Sequence, residues 1–219
     1  MCGRYTLHIN KKKLAEAIGR ELPDSYEPDF NIAPGREVLS LTADGAAPGL
    51  PRMMQWGLRT PQNFHINARI ETADTSPRFR ESWEDYRCLI PANGFYEWYQ
   101  DGVTKQPYYF YPESGELLFY AGLWFPSILD ENPASCVILT TAANQSVSGV
   151  HNRMPVILPQ SCTGEWIQGR LPRTEAVRLA ADCNLFSHTV SQRVNSSRNN
   201  DSRLVEATAP LTDDQMMLF

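Results

Sequence analysis

The chain has 219 residues, of which 42% are hydrophobic and 21% charged, and its formal net charge at pH 7 is −5. This length and composition suit one folded domain and exclude a disordered protein. The mildly negative charge argues against a broad basic surface for nucleic acid or lipid, although a local basic groove stays open. The sequence shows neither a long apolar stretch nor a signal-peptide pattern, so we expect a cytoplasmic protein.

The first predicted element is a short amphipathic helix. Asn10 precedes the segment KKKLAEAIGRE, and an asparagine side chain in this position can cap the first helical turn. The helical period then places Leu14, Ala17 and Ile18 on one face. We expect this face to pack against the rest of the domain.

The segments that follow are dominated by strands. Short apolar and aromatic runs bounded by Pro, Gly, Asn or Asp are typical of strands in a closed or doubly covered sheet. In chain order these runs are VLSLT, RMMQWGL, FHINARI, RCLIP, GFYEWY, PYYFY, LLFYAGLW, SCVILTT, MPVILP and FSHTVS. Residues 71–85 and 162–183 have helical composition, and Gly169 and Pro172 interrupt the second segment.

The predicted fold class is therefore α+β. We expect a single β-rich domain with barrel-like mixed and antiparallel sheets, flanked by short helices. This domain spans residues 1–194, and residues 195–219 form a polar C-terminal tail that we expect to be partly disordered.

The cysteines and histidines are too scattered for a metal site or a disulfide framework. The five cysteines include no C-x-x-C pair, and the four histidines include no H-E-x-x-H pattern. We therefore predict a reducing compartment, no bound metal and no cofactor. Cys88 and Cys136 lie in apolar runs, where a cysteine is usually a small buried hydrophobic residue.

Cys2 has the most distinctive chemistry. Loss of Met1 is favoured by a small second residue, and it would leave Cys2 with a free α-amine beside its thiol. An α-amine, with a pKa of about 8, is partly unprotonated at neutral pH, and the thiol is a strong nucleophile. Together they can capture an aldehyde as an imine, which the sulfur closes to a five-membered thiazolidine. The alternative is that Cys2 is an incidental residue of a frayed terminus.

Two residues are suited to proton transfer. Glu97 lies in the aromatic run GFYEWY, where burial would raise the pKa of its carboxyl toward neutrality. Strand alternation equally allows its side chain to point to solvent. His151 directly precedes an apolar strand, and its ordinary pKa near 6.5 suits a proton shuttle. Its alternative role is a structural hydrogen bond.

The segment INARIETA carries residues suited to substrate orientation. If it is a strand, alternation places Asn67, Arg69 and Glu71 on one face. An amide and a guanidinium side by side can orient a polar substrate and hold a phosphate. An Arg–Glu pair that closes a surface turn is the alternative. Exposed aromatic residues near arginines would add a platform for base stacking.

Six short blocks of the sequence occur together in one known family. The blocks are MCGRY at 1–5, NIAPG at 31–35, QWGL at 55–58, INARIETA at 66–73, RCLIPANGFYEW at 87–98 and HNRMP at 151–155. In this combination the chain resembles the SOS-response-associated peptidase family. The resemblance implies a β-rich core flanked by helices and a protein that recognises abasic sites in single-stranded DNA.

The resemblance also implies the roles of individual residues. An exposed Cys2 is the nucleophile that forms the thiazolidine crosslink, Asn67 orients the sugar, Glu97 transfers protons, and His151 assists the chemistry and its reversal. The residues implied to line the DNA groove are Arg4, Asn31, Pro34, Arg69, Trp98, Thr140 and Arg153. The implied partner is single-stranded DNA with abasic sites, bound by a monomer that is nucleoid-associated when on DNA and contacts no membrane.

The chain departs from the family pattern at two places. The loop between Trp56 and Asn67 lacks a tryptophan pair expected to wedge against DNA, and Phe64 is the nearest substitute. Pro77 precedes Arg78 and is expected to displace a phosphate contact by one residue.

Two other functions remain open from the sequence. The first is a cysteine peptidase or amidohydrolase in which Cys2 attacks an amide, with its own amine or His151 as base. Self-removal of a short leader would fit this function too. The second is a non-catalytic module that binds single-stranded DNA and in which Cys2 is incidental. Turnover of an amide distinguishes the first function, and equal retention of intact and abasic DNA distinguishes the second.

Overall fold

Strands make up most of the regular structure in the computed structural model, which describes residues 2–43, 49–101, 104–127 and 133–211. The strands are β1 (Tyr5–Leu7), β2 (Asp29–Ile32), β3 (Glu37–Thr42), β4 (Leu50–Trp56), β5 (Leu58–Arg59), β6 (Phe64–His65), β7 (Asn67–Arg69), β8 (Arg87–Ala92), β9 (Gly94–Asp101), β10 (Thr104–Tyr111), β11 (Leu118–Phe125), β12 (Ser135–Ala142), β13 (Arg153–Pro155), β14 (Ile157–Leu158) and β15 (Phe186–Thr189). The helices are α1 (Lys11–Ile18), α2 (Ile70–Ala73), α3 (Arg80–Asp85), α4 (Thr163–Ile167) and α5 (Arg173–Ala181), with 3-10 turns at Gln160–Cys162, Gln192–Asn195 and Ser202–Leu204.

Two large sheets form the domain. Sheet A is antiparallel, in the order β15–β10–β9–β1–β2, and sheet B is mixed, in the order β13–β12–β4–β3–β8–β11–β14 with β7 paired to β12. A further pairing of β12 with β11 closes β12, β4, β3, β8 and β11 into a ring. The predicted single β-rich domain with short flanking helices is confirmed, and this ring is its barrel-like part.

The core lies between the sheets and inside the ring. Strands β8 and β12 are buried along almost their whole length, which explains why the middle of each sequence is an apolar run. Cys88 and Cys136 have no exposed surface, as predicted. Sheet A adds Phe95 and Phe110, whose rings stack with their centroids 5.1 Å apart.

Helix α1 forms where the sequence predicts it. The Asn10 side chain accepts a hydrogen bond from the Lys13 backbone N–H at 3.0 Å, and Gly19 ends the helix with a φ of 73°. Leu14 and Ile18 are buried. The expectation for Ala17 is wrong, because its side chain is exposed.

Other segments differ from the sequence-based prediction. The run FHINARI is two short strands, β6 and β7, followed at once by helix α2, so Glu71 lies on a helix and not on the face shared by Asn67 and Arg69. Strands β1 and β2 were not predicted, since they are short and each mixes apolar with polar residues. The helical composition of 162–183 is confirmed as two helices, which lie on either side of Gly169 and Pro172.

The described part of the C-terminal segment packs on sheet A. Val194 and Leu204 join Tyr96 and Tyr109 in a second apolar cluster, on the face of sheet A opposite Phe95. The amide of Asn31 in β2 donates to the carbonyls of Val194, Ser196 and Asn199, at 3.4, 3.0 and 2.8 Å. Residues 212–219 of the predicted tail lie outside the described residues.

We expect Asn31→Ala to lower the free energy of unfolding by about 2–3 kcal/mol, because it removes a buried amide and leaves buried carbonyls without a donor. Urea denaturation measures this change. Asn184→Ala, at an exposed position just after the end of α5, is the matched control and should stay within about 0.5 kcal/mol of the wild type. Equal effects of the two substitutions would contradict the role of Asn31.

Candidate active site

Cys2 lies in the interior, between the two sheets. Its side chain has no exposed surface, and its carbonyl oxygen accepts a hydrogen bond from Asn67 Nδ2 at 2.8 Å. The backbone of residues 2–4 runs beside β9, where the Tyr96 N–H donates to the Arg4 carbonyl at 2.9 Å. The prediction of an exposed Cys2 is therefore wrong for this structure, because the path along β9 carries the residue into the core. Met1 lies outside the described residues.

The Cys2 thiol and the Glu97 carboxyl influence one another. Burial, and then the nearby charge of Glu97, raise the pKa of the thiol well above its usual range, so the thiol holds its proton at neutral pH. Glu97 is only 3% exposed, and burial raises the pKa of its carboxyl to about 7. The alternative that Glu97 points to solvent is wrong. A carboxyl with this pKa can both donate and accept a proton near neutral pH.

Asn67 presents an acceptor toward the same region. Its Nδ2 donates to the Cys2 carbonyl, and its Oδ1 is buried with no hydrogen-bond partner among the described residues. Buried polar atoms are normally paired, so an acceptor in this state is available to a hydroxyl or amine of a ligand.

His151 is held by the backbone of the turn that precedes β13. Its Nδ1 lies 3.0 Å from the backbone nitrogen and 3.1 Å from the carbonyl oxygen of Arg153. Burial lowers the pKa of the imidazole, which keeps it neutral at physiological pH. Nδ1 is engaged by backbone, and Nε2 is the second ring nitrogen that can carry a proton.

Arg153 belongs to a network that also contains Thr140 and Glu71. Arg153 Nη1 and Nη2 lie 2.6 and 2.8 Å from the two carboxylate oxygens of Glu71, and Nη2 donates to the Thr140 carbonyl at 2.6 Å. Thr140 itself is buried in β12, opposite Arg69 of the parallel strand β7. Arg69 is exposed where β7 ends and α2 begins.

The remaining residues implied to line the groove lie along sheet A. Arg4 Nη1 donates to Asn31 Oδ1 and to the Val194 carbonyl, both at 2.8 Å, so Arg4 and the buried Asn31 fasten the C-terminal segment. The half-buried Trp98 donates from Nε1 to Asn195 Oδ1 at 2.8 Å. Pro34 is half-buried in the turn between β2 and β3.

The loop that lacks the expected tryptophan pair contains a small hairpin of β5 and β6. Phe64 is 38% exposed there, and the Arg59 guanidinium lies 4.8 Å from the centre of its ring. Arg78 lies in the turn that precedes α3, where its guanidinium is 5.8 Å from the ring centre of Phe79. The hairpin therefore exposes one aromatic ring paired with a cation.

Known proteins are similar to this chain in sequence and in fold. The family model of SOS response associated peptidase (SRAP) matches residues 1–197. The chain belongs to this family. It is 35% identical to the abasic site processing protein YoqW of Bacillus subtilis, across 94% of this chain and 100% of that protein. It is 32% identical to the abasic site processing protein YedK of Escherichia coli, across 94% of this chain and 99% of that protein.

A solved structure shows the same fold as this SRAP chain. A protein from Bacteroides thetaiotaomicron superimposes with a TM-score of 0.80 at 21% identity, and the match covers 95% of this chain and 100% of that one. No helix among the described residues of the SRAP chain is both long and apolar enough to cross a membrane.

Two features of the SRAP site were missed or misjudged from the sequence. Tyr108 of β10 lies directly opposite Glu97 of β9, and cross-strand neighbours share one face of a sheet. The Asp-Gly pair at 101–102 would not have found it, because a hairpin with these two residues as its turn pairs Glu97 with Gln106, whereas Asp101 pairs with Thr104 and Glu97 with Tyr108. Glu71 was expected beside Arg69, yet it binds Arg153, which is 82 residues away in the chain.

Proposed function

We propose that this protein processes abasic sites in single-stranded DNA by forming a thiazolidine between Cys2 and the ring-opened sugar, which shields the lesion. The observation that carries the proposal is the position of Cys2, hydrogen-bonded to Asn67 and electrostatically coupled to a buried Glu97. Membership of a family whose relatives are named abasic site processing proteins supports it. Removal of Met1 is part of the proposal, because only then does Cys2 carry a primary amine.

The proposed reaction balances without an oxidant or reductant. The α-amine of Cys2 adds to the aldehyde carbon of the opened sugar, and loss of the resulting hydroxyl group as water gives an imine. The Cys2 sulfur then bonds to the imine carbon while the electron pair of the C=N double bond moves to nitrogen. The nitrogen gains a proton and the thiol loses one, so the products are a thiazolidine and one water.

Glu97 is suited to move protons in both stages. As an acid it would protonate the hydroxyl group that leaves as water, and as a base it would accept the proton of the thiol. The second task is necessary because the buried thiol does not ionise by itself at neutral pH. With its pKa raised to about 7, the Glu97 carboxyl exists in both forms at the pH of the cytosol.

Asn67 and His151 complete the proposed machinery. The buried Oδ1 of Asn67 would accept a hydrogen bond from a sugar hydroxyl while its Nδ2 holds the Cys2 backbone in place. His151 would exchange a proton with the sugar through Nε2, which favours both ring opening and reversal of the adduct.

The proposed DNA contacts are few. Arg69 is the exposed arginine nearest to Asn67 in the chain, and Trp98 and Phe64 offer aromatic surface for bases. A small binding surface agrees with the net charge of −5. We therefore expect modest affinity for undamaged DNA, with retention at abasic sites due mainly to the covalent bond.

A denaturing gel tests the proposed function. The purified protein is incubated with single-stranded DNA that contains one abasic site, and with the same strand undamaged. We expect a slower-migrating species that survives denaturation with the abasic strand and no such species with the undamaged strand. Equal retention of both strands without a covalent species would support a simple binding module instead, and cleavage of an added peptide with turnover would support a peptidase.

A further inference from the structure

Arg153 forms a two-point ion pair with Glu71. Both of its terminal nitrogens lie within 2.8 Å of a Glu71 carboxylate oxygen, at 2.6 and 2.8 Å, and the arginine side chain is only 15% exposed. A carboxylate in this position uses the same two parallel N–H donors that a phosphate would use. We propose that Glu71 is a specificity-determining residue: its carboxylate occupies the phosphate-binding fork of Arg153 and thereby lowers the affinity of the protein for undamaged single-stranded DNA.

This inference rests on the proposed function and explains how the protein would discriminate between damaged and intact DNA. Sequence-independent binding grows with the number of phosphates that basic residues neutralise. A protein that captures its target covalently does not need tight initial binding, and tight binding would hold it on intact strands. A carboxylate that competes for Arg153 reduces this unproductive binding without touching the reacting groups.

The charges around Glu71 support this role. Hydrogen bonding to Arg153 lowers the pKa of the Glu71 carboxyl, and Arg69 acts in the same direction, so Glu71 is ionised at neutral pH. One anion therefore faces two arginines, and the net positive charge of the three side chains is that of one arginine. Replacement of Glu71 by a neutral residue restores the second charge.

Glu71 is not needed to hold its own helix. Arg173 of α5 binds both carboxylate oxygens of Asp74, at 2.8 and 2.7 Å, and donates to the Glu71 backbone carbonyl at 3.1 Å. These contacts fasten α2 whatever side chain stands at position 71. The Glu71 side chain is itself 44% exposed, so a neutral substitute meets water and not a closed core.

The test compares binding of undamaged single-stranded DNA by wild type and Glu71→Gln, followed by fluorescence anisotropy over a range of salt concentrations. We expect Glu71→Gln to bind roughly three- to tenfold more tightly at low salt, with a salt dependence steeper by about 0.7 in the logarithmic slope, the value for one additional phosphate. Glu71→Ala is a second variant with the same expectation, and thermal unfolding confirms that each variant is folded.

Glu175→Gln is the matched control. It removes the same charge from an ion pair outside the site, because Glu175 binds Arg178 at 2.6 and 2.9 Å on the exposed face of α5, where Arg178 keeps its contact with Asp182 at 2.7 Å. We expect its affinity and slope to remain those of the wild type. Unchanged binding in Glu71→Gln, weaker binding, or an equal gain in Glu175→Gln would each overturn the inference.

The same samples are also incubated with abasic DNA on a denaturing gel. Absence of a covalent species in the wild type would refute the proposed function and leave the affinity comparison to decide the role of Glu71. A normal covalent species together with unchanged affinity in Glu71→Gln would refute only the role of Glu71.

Discussion

Cys2→Ala will form no stable adduct with abasic single-stranded DNA, although it will still form an imine. Alanine is also small, so Met1 is expected to be removed and the α-amine to remain. This amine can condense with the sugar aldehyde, but without sulfur the imine cannot close to a ring and hydrolyses again. The expected result is complete loss of the species that survives denaturation, together with a species that borohydride traps by reducing the imine.

The control for Cys2→Ala is Cys162→Ala, which removes a half-buried thiol in the turn before α4. We expect its yield of adduct to equal that of the wild type. If borohydride traps nothing with Cys2→Ala, the α-amine is not the attacking group. A full yield of stable adduct from Cys2→Ala would mean that another nucleophile forms the bond.

Glu97→Gln is expected to slow adduct formation by about 10²–10⁴, the usual contribution of a positioned acid or base, and to leave the affinity for intact DNA almost unchanged. The amide keeps the size of the carboxyl but does not ionise near neutral pH, so it can serve neither as an acid nor as a base. Single-turnover rates measured against pH give a second readout. In the wild type the rate should be greatest near pH 7, because Glu97 acts as an acid in the first stage and as a base in the second, and this maximum should be absent from Glu97→Gln.

The same substitution should stabilise the fold at high pH. Burial raises the pKa of Glu97 from 4.5 to about 7, so the folded state binds this proton more tightly than the unfolded chain. The stability that the proton contributes is present below about pH 4.5 and is lost as the pH rises to about 7. Glu97→Gln should therefore exceed the wild type by roughly 3 kcal/mol at pH 8, and the difference should shrink as the pH falls.

Glu37→Gln, at an exposed strand position, is the control for the change in rate and for the change in stability. It should match the wild type within about twofold in the rate of adduct formation and within about 0.5 kcal/mol in the free energy of unfolding. Parallel losses of rate, DNA affinity and stability in Glu97→Gln would make Glu97 a structural residue and would contradict its place in the chemistry.

The sequence predicted the fold well where apolar patterning is strong and the element is long. Helix α1 and strands β8, β11 and β12 were predicted because capping and continuous apolar runs are local signals. Strand β1 was missed because three residues carry too little pattern. The closure of the ring by β11 and β12 is a long-range pairing that no local run encodes.

The site was predictable in its residue types but not in its geometry. Glu97 was identified from its aromatic neighbours, yet strand alternation also allowed its side chain to face solvent. Only the packing of sheet A against sheet B shows that the side chain points into the interior. The burial of Cys2 follows from the path of the chain along β9, where Tyr96 donates to the Arg4 carbonyl and Tyr5 pairs with Phe95, and its own neighbours in the sequence do not reveal this path. The binding of Arg153 by Glu71 joins segments 82 residues apart and is likewise invisible locally.

Intact mass spectrometry of the purified protein, before and after exposure to abasic single-stranded DNA, tests the central claim most directly. We expect the free protein to begin at Cys2, and the adduct to weigh as much as this protein plus the DNA strand minus one water, with peptide mapping placing the bond at residue 2. A form with a fixed residue ahead of Cys2 should give no adduct. An unchanged protein mass after exposure, or an equal adduct yield from the blocked form, would contradict the account.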